Sequence, residues 1–365
     1  MEVANTENAE ENSEIDEDVR ATEKVINAFF YYKTYGKEKI LKMVDQMRKI
    51  PPAHQLIIGP RYKEHIRNIT QMMDHNHTVI RMIVNFGVTM FGEESLKAMR
   101  IHQARRPTAD YMSKVLSTIR QICREWTEEG RPEREATFLP IIEELDKLFP
   151  REHCQRHLIR IMVPGCGLGR LACDLINEGY TVQGNEFSLF MLMTSNFMLN
   201  ACKIENQFTI YPFIFEKSNT WSYEDQERAV TFPDKCPDQD VANRRNSFSM
   251  CAGDFLEVTR NSTFDVIVTA WFIDTAHNIL QYIETIYNTL EPNGIWVNVG
   301  PLTYHFEDSP DENSIELPYT EVIRFIREKG FEVITERRVE SKYTVNRQSM
   351  LQNEFTCAFF TARKI

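Results

Sequence analysis

Apolar residues recur at helical spacing through the first part of the chain. Within residues 115–126 they fall every three or four positions, which places them on one face of a helix. Residues 25–50 and 80–88 follow the same pattern, and proline or glycine residues separate the segments. The pattern therefore predicts a helical N-terminal extension over residues 21–150.

From residue 158 onward, short apolar runs alternate with segments of helical periodicity. The runs predict strands at 158–163, 180–184, 264–270 and 295–299, and the segments between them predict helices at 168–177, 188–201 and 278–290. Strands that alternate with helices build βαβ units around a parallel sheet. We therefore expect an α/β domain with a mostly parallel twisted sheet over residues 151–365.

The segment 217–247 interrupts this alternation. It contains many Pro, Asp, Asn and Arg residues, and irregular segments of this length inside a compact domain are uncommon and often functional. We interpret it as a long surface insertion that is mobile or acts as a lid.

Acidic residues are concentrated at the N-terminus. The chain has 53 acidic and 42 basic residues and a net charge of −11, and eight of the acids lie within residues 1–18, which contain no Lys or Arg. A segment of this composition cannot bury enough apolar surface to order itself, so residues 1–20 are predicted to form a disordered acidic tail. The remainder is close to neutral and would not attract a polyanion, so we expect no nucleic-acid partner.

The sequence contains no apolar run long enough for a transmembrane helix, and its acidic N-terminus resembles neither a signal nor a transit peptide. The eight cysteines form no CxxC pair, which is typical of reduced thiols and does not support a zinc site. We expect a cytoplasmic protein without membrane contact, with a nuclear location as the alternative. No long heptad seam is present, and the sequence leaves a homodimer possible.

Two histidines, His75 and His77, lie close enough in sequence to suggest a metal site. No second pair of ligands accompanies them, as a metal site would require. We therefore interpret residues 74–78 as a polar loop and predict no metal site.

A glycine motif follows the first predicted strand. Gly165, Gly167 and Gly169 form a GxGxG pattern where the strand turns into a helix. Glycines at this point let the backbone approach a ligand closely, and the helix N-terminus follows directly. The spacing differs from the GxGxxG of a dinucleotide fingerprint and is the form found in S-adenosylmethionine-dependent methyltransferases.

Further polar residues follow the later strands at positions suited to a nucleoside. Glu186 ends the second strand, where a carboxylate can accept hydrogen bonds from ribose hydroxyls. Asp254 can accept from an adenine amino group while Phe255 packs on the ring, and Ala270 ends the strand 264–270. Each feature alone is also compatible with a glycine-rich turn and incidental acids, but their order along the chain favours a cofactor site.

At these motifs the sequence resembles the carnosine N-methyltransferases, a family with a Rossmann-like class I methyltransferase fold. The likeness covers most of residues 20–365 and fades in the tail and in the insertion. The matching stretches are VPGCGLGRLA (163–172), GNEFSLFMLMTSNFMLN (184–200), AGDF (252–255), FIDTAHN (272–278), GIWVNVGPLTYHF (294–306), SIEL (314–317) and YTVN (343–346).

The resemblance implies methyl transfer from S-adenosylmethionine to an imidazole nitrogen of carnosine (β-alanyl-histidine), a small dipeptide, which gives anserine and S-adenosylhomocysteine. The positions that would contact the cofactor are Gln103, Arg106, Gly165, Gly167, Glu186, Asp254, Phe255 and Ala270. Gln103 and Arg106 belong to the helical extension, which would then cover the nucleoside as a lid. Without the family, Arg106 would be interpreted as part of a solvated helix start.

On the substrate side, the resemblance implies Asp274, His305 and Tyr343. Imidazole is mostly neutral at physiological pH, and an acceptor opposite one ring nitrogen selects the other as nucleophile. We hypothesise that His305 accepts the proton while Asp274 orients the substrate or stabilises its charge, and the two roles could be exchanged. Phe355 stands near a position where the family has a tyrosine, and this departure bears on substrate affinity.

Three alternatives remain in view. The acceptor could be another histidine-containing dipeptide or a peptide or protein histidine, because Phe355 and the insertion differ from the family. The chain could instead be an inactive regulatory module, since Pro164 precedes the first glycine where many methyltransferases have an acid. The glycine spacing argues against an NAD-dependent dehydrogenase.

Overall fold

The protein divides into two compact units. The computed structural model describes residues 2–91, 105–237, 245–260, 262–310 and 312–365, with side chains from residue 19 onward. The first unit, called the helical unit, comprises Met1–Glu128, Leu189–Cys236 and Asn346–Gln352. The second, called the sheet unit, comprises Glu129–Ser188, Pro237–Val345 and Asn353–Ile365.

The described residues form the following helices and strands, each set numbered in chain order. The helices are α1 (Glu2–Lys49), α2 (Pro52–Gly87), α3 (Ala109–Trp126), α4 (Arg131–Leu148), α5 (Arg170–Asn177), α6 (Leu189–Ala201), α7 (Tyr223–Glu227), α8 (Phe255–Val258), α9 (Ile279–Thr289) and α10 (Tyr319–Lys329). The strands are β1 (Arg160–Pro164), β2 (Thr181–Glu186), β3 (Phe208–Ile210), β4 (Val230–Phe232), β5 (Phe248–Ala252), β6 (Phe264–Ala270), β7 (Leu290–Gly300), β8 (Phe331–Ser341) and β9 (Phe355–Lys364).

The helical unit packs α1, α2, α3 and α6 around a shared apolar core. A proline pair ends α1 and begins α2, because the ring of the second proline restricts the residue before it to extended backbone. The antiparallel pair β3–β4 belongs to the same unit. The largest buried side chains of the helical unit include Phe29, Tyr32, Met73, Trp126 and Phe232.

The N-terminal segment differs from the predicted disordered tail. Helix α1 begins at Glu2, so the backbone of residues 2–20 is helical in this structure. Residues 2–35 contain neither Gly nor Pro, and their alanines and glutamates are good helix formers. Propagation is easier than nucleation, so the buried part of α1 extends into this polar segment.

Residues 74–78, interpreted above as a polar loop, lie inside α2. Asn76 is buried there, where its amide group donates to the Tyr32 hydroxyl at 2.9 Å and to the Tyr211 carbonyl at 2.9 Å. Its side-chain oxygen accepts the Tyr211 N–H at 2.8 Å. The loop interpretation was wrong because these polar residues serve tertiary hydrogen bonds that their spacing does not reveal.

The bounds of the two compact units also differ from the predicted domain boundaries. Helix α4 lies before residue 150 but belongs to the sheet unit, because its buried Ile141 and Leu145 pack in that unit's core. Helix α6 lies after that boundary but belongs to the helical unit. Of the predicted insertion, residues 217–237 and 245–247 are described, and the first of these parts contains α7 and β4 and buries Phe232 completely.

The sheet unit contains a seven-stranded sheet in the order β5-β2-β1-β6-β7-β9-β8. The first five strands in this order are parallel, whereas β9 runs antiparallel between β7 and β8. Chain order reverses between β1 and β6, and ligands bind outside the carboxyl ends of the strands at such a switch point. This arrangement confirms the predicted mostly parallel α/β fold.

Helices cover both faces of this sheet. On one face, α4 and α5 bury Leu145 and Leu175 against Val163 and other strand residues. On the other face, α9 and α10 bury Ile283 and Ile326 against their own set of strand residues. Each fully buried aliphatic side chain contributes about 1.5–3 kcal/mol relative to exposure, so the two layers hold the strand ends in place.

Three findings concern the described residues as a whole. No helix within the described ranges is both long and apolar enough to cross a membrane. The same residues contain no group of three or more His, Cys, Asp or Glu side chains placed to hold a metal ion. All eight cysteines are free thiols, and most are buried.

Candidate active site

The residues implied by the motifs of the sheet unit gather at one edge of its sheet. Strands β1, β2, β5, β6 and β7 are parallel, so their carboxyl ends lie on the same side. Strand β8 ends at that side too, and β9 begins there, since Ser341 pairs with Phe355 and Gly300 pairs with Ala358. The positions at these ends, or in the segments that follow them, are Gly165, Gly167, Glu186, Asp254, Phe255, Ala270, Asp274, His305, Tyr343 and Phe355.

The turn after β1 is built from glycines in the left-handed region. Gly165, Gly167 and Gly169 have φ angles of 61°, 57° and 82°, which side chains disfavour. A Cβ on Gly165 would lie 2.4 Å from a ring carbon of Phe272. Glycine at this position therefore leaves room for the Phe272 ring, and the loop, in which Gly165 is exposed, leads directly into α5.

Glu186 ties this loop to the end of β2. Its carboxylate accepts the Gly167 N–H at 2.9 Å, and it also accepts the N–H groups of Phe187 and Ser188 at 2.9 and 2.8 Å. Such charge-assisted hydrogen bonds are stronger than neutral ones. They fix a negative charge beside the glycine loop, where ribose hydroxyls of a nucleoside would donate.

Asp254 and Phe255 follow β5 and differ in exposure. Asp254 is exposed and caps the N-terminus of α8, since its Oδ1 accepts the Leu256 N–H at 2.8 Å. Phe255 is only 2% exposed and packs edge-on against Phe272 and Tyr282, with ring centroids 5.4 Å away in both cases. Little of the Phe255 ring is left for an adenine to cover, so its packing role towards the nucleoside stays a prediction.

Tyr282, which the sequence did not single out, stacks on Phe272 at 4.8 Å. Burial raises the pKa of its hydroxyl, and the negative charges of Asp254 and Glu186 raise it further. Phe255, Phe272 and Tyr282 therefore form an aromatic cluster beside the glycine loop and close to both carboxylates.

The two residues expected from the helical extension are placed differently. Gln103 lies outside the described residues. Arg106 belongs to the helical unit and pairs with Glu38 at 3.3 Å, and both side chains are largely exposed. Their proposed lid role stays a prediction. In the sheet unit, Ala270 ends β6 and pairs with Val299 of β7.

Asp274 links the segments that follow β6 and β7. It is 3% exposed, its Oδ2 accepts the Thr303 N–H at 2.8 Å, and its carbonyl accepts the His305 N–H at 3.1 Å. Burial raises the pKa of the Asp274 carboxyl, while the Thr303 hydrogen bond and the nearby His305 oppose that rise. The structure thus brings together the predicted Asp274 and His305, and it adds Thr303, whose role no local sequence pattern indicates.

Tyr343 and Phe355 meet through a third aromatic residue, Trp271. The Trp271 ring lies 4.7 Å from that of Tyr343 in a tilted arrangement. It lies 5.1 Å from that of Phe355 and perpendicular to it. Sequence reasoning missed Trp271, although its position directly after Ala270 at the carboxyl end of β6 was a usable signal.

Comparisons with known proteins show the family of the chain. The family profile described as carnosine N-methyltransferase matches residues 101–365. The carnosine N-methyltransferase of Mus musculus is 41% identical over 343 residues, which cover 93% of this chain and 85% of that protein. The chain belongs to the carnosine N-methyltransferase family. The Schizosaccharomyces pombe member is 39% identical over 354 residues, which cover 92% of this chain and 94% of that protein.

The chain also matches a less similar member of the carnosine N-methyltransferase family. The Drosophila melanogaster protein named carnosine N-methyltransferase unmet is 34% identical over 370 residues, which cover 96% of this chain and 80% of that protein. The profile match spans the entire sheet unit, and therefore every residue placed above at the carboxyl edge of the sheet. The family resemblance stated from the motifs is confirmed.

Proposed function

We propose that this protein transfers a methyl group from S-adenosylmethionine to an imidazole nitrogen of carnosine, which gives anserine and S-adenosylhomocysteine. Membership in the carnosine N-methyltransferase family is the observation that carries this proposal. The sheet unit supports it, because the residues expected to bind the nucleoside of the methyl donor and those expected to bind the imidazole of the acceptor lie at the same edge of the sheet. The protein is accordingly an N-methyltransferase rather than a dehydrogenase or a regulatory module.

The residues at the glycine loop fit the methyl donor. Gly165 is exposed and takes a positive φ that glycine allows, and its loop leads directly into the N-terminus of α5. Glu186 supplies a fixed negative acceptor for ribose hydroxyls, and the exposed Asp254 supplies one for an adenine amino group. S-adenosylmethionine, when bound, supplies an electrophilic methyl carbon on a positively charged sulfur.

The acceptor side needs to position an imidazole rather than activate it strongly, since its reference pKa of about 6.5 leaves most of it neutral at pH 7. One ring nitrogen forms the new N–CH₃ bond as the S–CH₃ bond breaks and its electron pair stays on sulfur. The other nitrogen then gives up its proton, because the methylated ring has become cationic. His305 is exposed and can take that proton and pass it to water.

Asp274 suits the complementary role. Its carboxylate is buried and held by the Thr303 N–H, so its position is fixed before substrate arrives. A fixed negative group beside the N–H of the imidazole selects the tautomer and stabilises the cationic ring. The two assignments can be exchanged, and a pH profile of each variant distinguishes them.

The test is mass spectrometry of a reaction that contains purified protein, S-adenosylmethionine and a panel of acceptors. The panel includes carnosine, homocarnosine, free histidine and histidine-bearing peptides. Carnosine should gain one methyl group on its imidazole. His305→Ala should lower kcat by about a hundredfold or more, the range of general-base catalysis, while S-adenosylmethionine still binds.

His153→Ala is the matched control, because His153 is exposed in the same unit and donates its backbone N–H to the Pro150 carbonyl, a bond that alanine keeps. It should turn over like the wild type. Methylation of a peptide alone would refute the acceptor but not the donor. Unimpaired turnover by His305→Ala would refute the role of His305.

A second acceptor class is favoured by one observation. Phe355 lacks the hydroxyl that the family's tyrosine would offer, and it lies against Trp271 at the acceptor side. Another histidine-containing dipeptide is therefore the alternative acceptor, and the same panel tests it. A dipeptide partner without nucleic acid or membrane, a homodimer and a cytoplasmic location stay predictions from the sequence.

A further inference from the structure

Trp271 holds a backbone conformation that is unusual for a large residue. Its φ angle is 56°, in the left-handed region that L side chains disfavour and that clusters at functional sites. One backbone hydrogen bond holds it, since its N–H donates to the Val299 carbonyl at 2.9 Å. Gly300 lies so close that an added Cβ there would be 3.2 Å from the Trp271 nitrogen.

The Trp271 indole also carries an unsatisfied polar atom. Nε1 is buried and has no hydrogen-bond partner among the residues that the structure describes. An indole nitrogen is a donor only, and leaving a buried donor unpaired is unfavourable. By contrast, the fully buried Trp296 donates from its Nε1 to the Thr269 hydroxyl at 2.8 Å.

The surroundings of this indole belong to the acceptor side. Tyr343 and Phe355, both expected to contact substrate, lie against the Trp271 ring. Asp274 follows three residues later in the turn Ile273–Thr275. A strained residue with a spare donor therefore lies among the groups that would hold the dipeptide.

The chemistry of a histidine dipeptide limits what this donor can bind. One imidazole nitrogen must keep its lone pair for the methyl carbon, and the other carries the proton that Asp274 or His305 receives. The terminal amine is protonated and cannot accept a hydrogen bond at neutral pH. Only the amide and carboxylate oxygens of the dipeptide remain as acceptors.

We propose that the Trp271 Nε1–H donates a hydrogen bond to an amide or carboxylate oxygen of the dipeptide, so that Trp271 selects dipeptides over simple imidazoles. This inference rests on the proposed function. Trp271 touches the part of the substrate that does not react, so it acts on substrate binding rather than on the chemical step.

Trp271→Phe removes the donor and keeps an aromatic ring in the strained position. For carnosine, the KM should rise about five- to tenfold, the effect of one hydrogen bond, with kcat changed less than about twofold. S-adenosylmethionine affinity should be unchanged. For histamine, which has neither oxygen, variant and wild type should have the same kcat/KM.

Two further acceptors identify the oxygen. β-Alanyl-histamine keeps the amide and lacks the carboxylate, whereas free histidine keeps the carboxylate and lacks that amide. The substrate on which Trp271→Phe shows its effect contains the oxygen that is bound. Trp296→Phe is the matched control, because it also removes a buried indole donor; it should lower the melting temperature and leave the KM for carnosine unchanged.

A second measurement uses the wild-type chain and does not depend on the variant's folding. The indole N–H resonance of Trp271, one of four tryptophans, should shift downfield on addition of carnosine and stay in place with histamine. An unchanged KM in Trp271→Phe, an equal loss with histamine, or an unmoved resonance would overturn the inference. Wild-type protein that methylates no carnosine would instead refute the proposed function.

Discussion

The donor side and the acceptor side of the candidate site are built in different ways. On the donor side, glycine backbone and main-chain N–H groups around Glu186 supply the geometry, and the loop partners lie within about one βαβ unit of each other. On the acceptor side, the rings of Trp271, Tyr343 and Phe355 meet from separate strand ends, and a backbone hydrogen bond joins the segments of Asp274 and His305. Backbone geometry suits a ligand that a whole fold shares, whereas side chains suit an acceptor that differs between enzymes.

This contrast predicts that steric change on the donor side has the largest effect. Gly165→Ala would place a Cβ 2.4 Å from Phe272 at a φ of 61°, and no adjustment of a flexible side chain end relieves a ring contact of this kind. We expect S-adenosylmethionine affinity to fall about a hundredfold, which corresponds to about 3 kcal/mol of strain and clash. Titration calorimetry measures it.

Gly59→Ala is the control for this variant. Gly59 lies inside α2 without a positive φ, and a Cβ there would lie 3.5 Å from Cε of Met47, an ordinary van der Waals contact. Alanine is the better helix former there, so affinity and melting temperature should stay at wild-type values or above. If Gly165→Ala and the wild type bind S-adenosylmethionine equally well, the claim that backbone geometry builds the donor side is refuted.

Removing the buried charge on the acceptor side should have an intermediate effect. Asp274→Asn keeps an oxygen for the Thr303 N–H but loses the charge beside the imidazole. We expect kcat/KM for carnosine to fall about ten- to a hundredfold, as for a hydrogen bond to a charged group, with unchanged donor affinity. A large loss of donor affinity would place Asp274 on the donor side instead.

The same variant has a predicted pH signature in stability. Burial raises the pKa of Asp274, so the folded protein binds this proton more tightly than the unfolded chain. The charge therefore destabilises the wild type as pH rises from the unfolded value of about 3.9 through the raised folded value. Asp274→Asn should melt higher than the wild type above that window and equally below it, as calorimetry at several pH values would show.

Asp265→Asn is a suitable comparison for both readouts. Asp265 lies near the start of β6, the strand that precedes Asp274, and away from the carboxyl edge. Its carboxylate also accepts a backbone N–H, that of Arg160, at 2.8 Å. It should leave kcat/KM unchanged. If both variants lose activity equally, the effect belongs to the strand and not to the site.

The smallest expected effect concerns the residue that departs from the family. Phe355→Tyr adds a hydroxyl beside Trp271 on the acceptor side. One added hydrogen bond should lower the KM for carnosine about two- to fivefold, with no effect on donor affinity. Tyr343→Phe, which removes a hydroxyl from the other neighbour of Trp271, should raise that KM. An unchanged KM in Phe355→Tyr would mean that its hydroxyl does not reach the dipeptide.

Local patterns in the sequence were sufficient for much of the fold and the donor side. The strand predicted at residues 264–270 is observed with the same bounds. The GxGxG motif indicated the turn in which Gly165, Gly167 and Gly169 all have positive φ. These features are short in sequence, so their physical cause, a continuous buried apolar run or a required backbone conformation, is visible in a single segment.

Other local patterns were misleading because tertiary packing overrode them. Polar composition at residues 74–78 indicated a loop, yet Asn76 is buried in α2 by hydrogen bonds to partners 44 and 135 residues away. The residue types of a segment show which interactions it can make, whereas its burial depends on which distant segment packs against it.

What the sequence by itself determined is the family, the α/β sheet and the backbone loop at its carboxyl edge. Only the tertiary structure decided that Trp271 meets Tyr343 and Phe355, and that Thr303 holds a buried Asp274 carboxylate. It also decided that α4 belongs with the sheet. The physical reason is separation along the chain: these contacts join segments whose meeting depends on the order and direction of the strands, and no periodicity in either segment encodes the other.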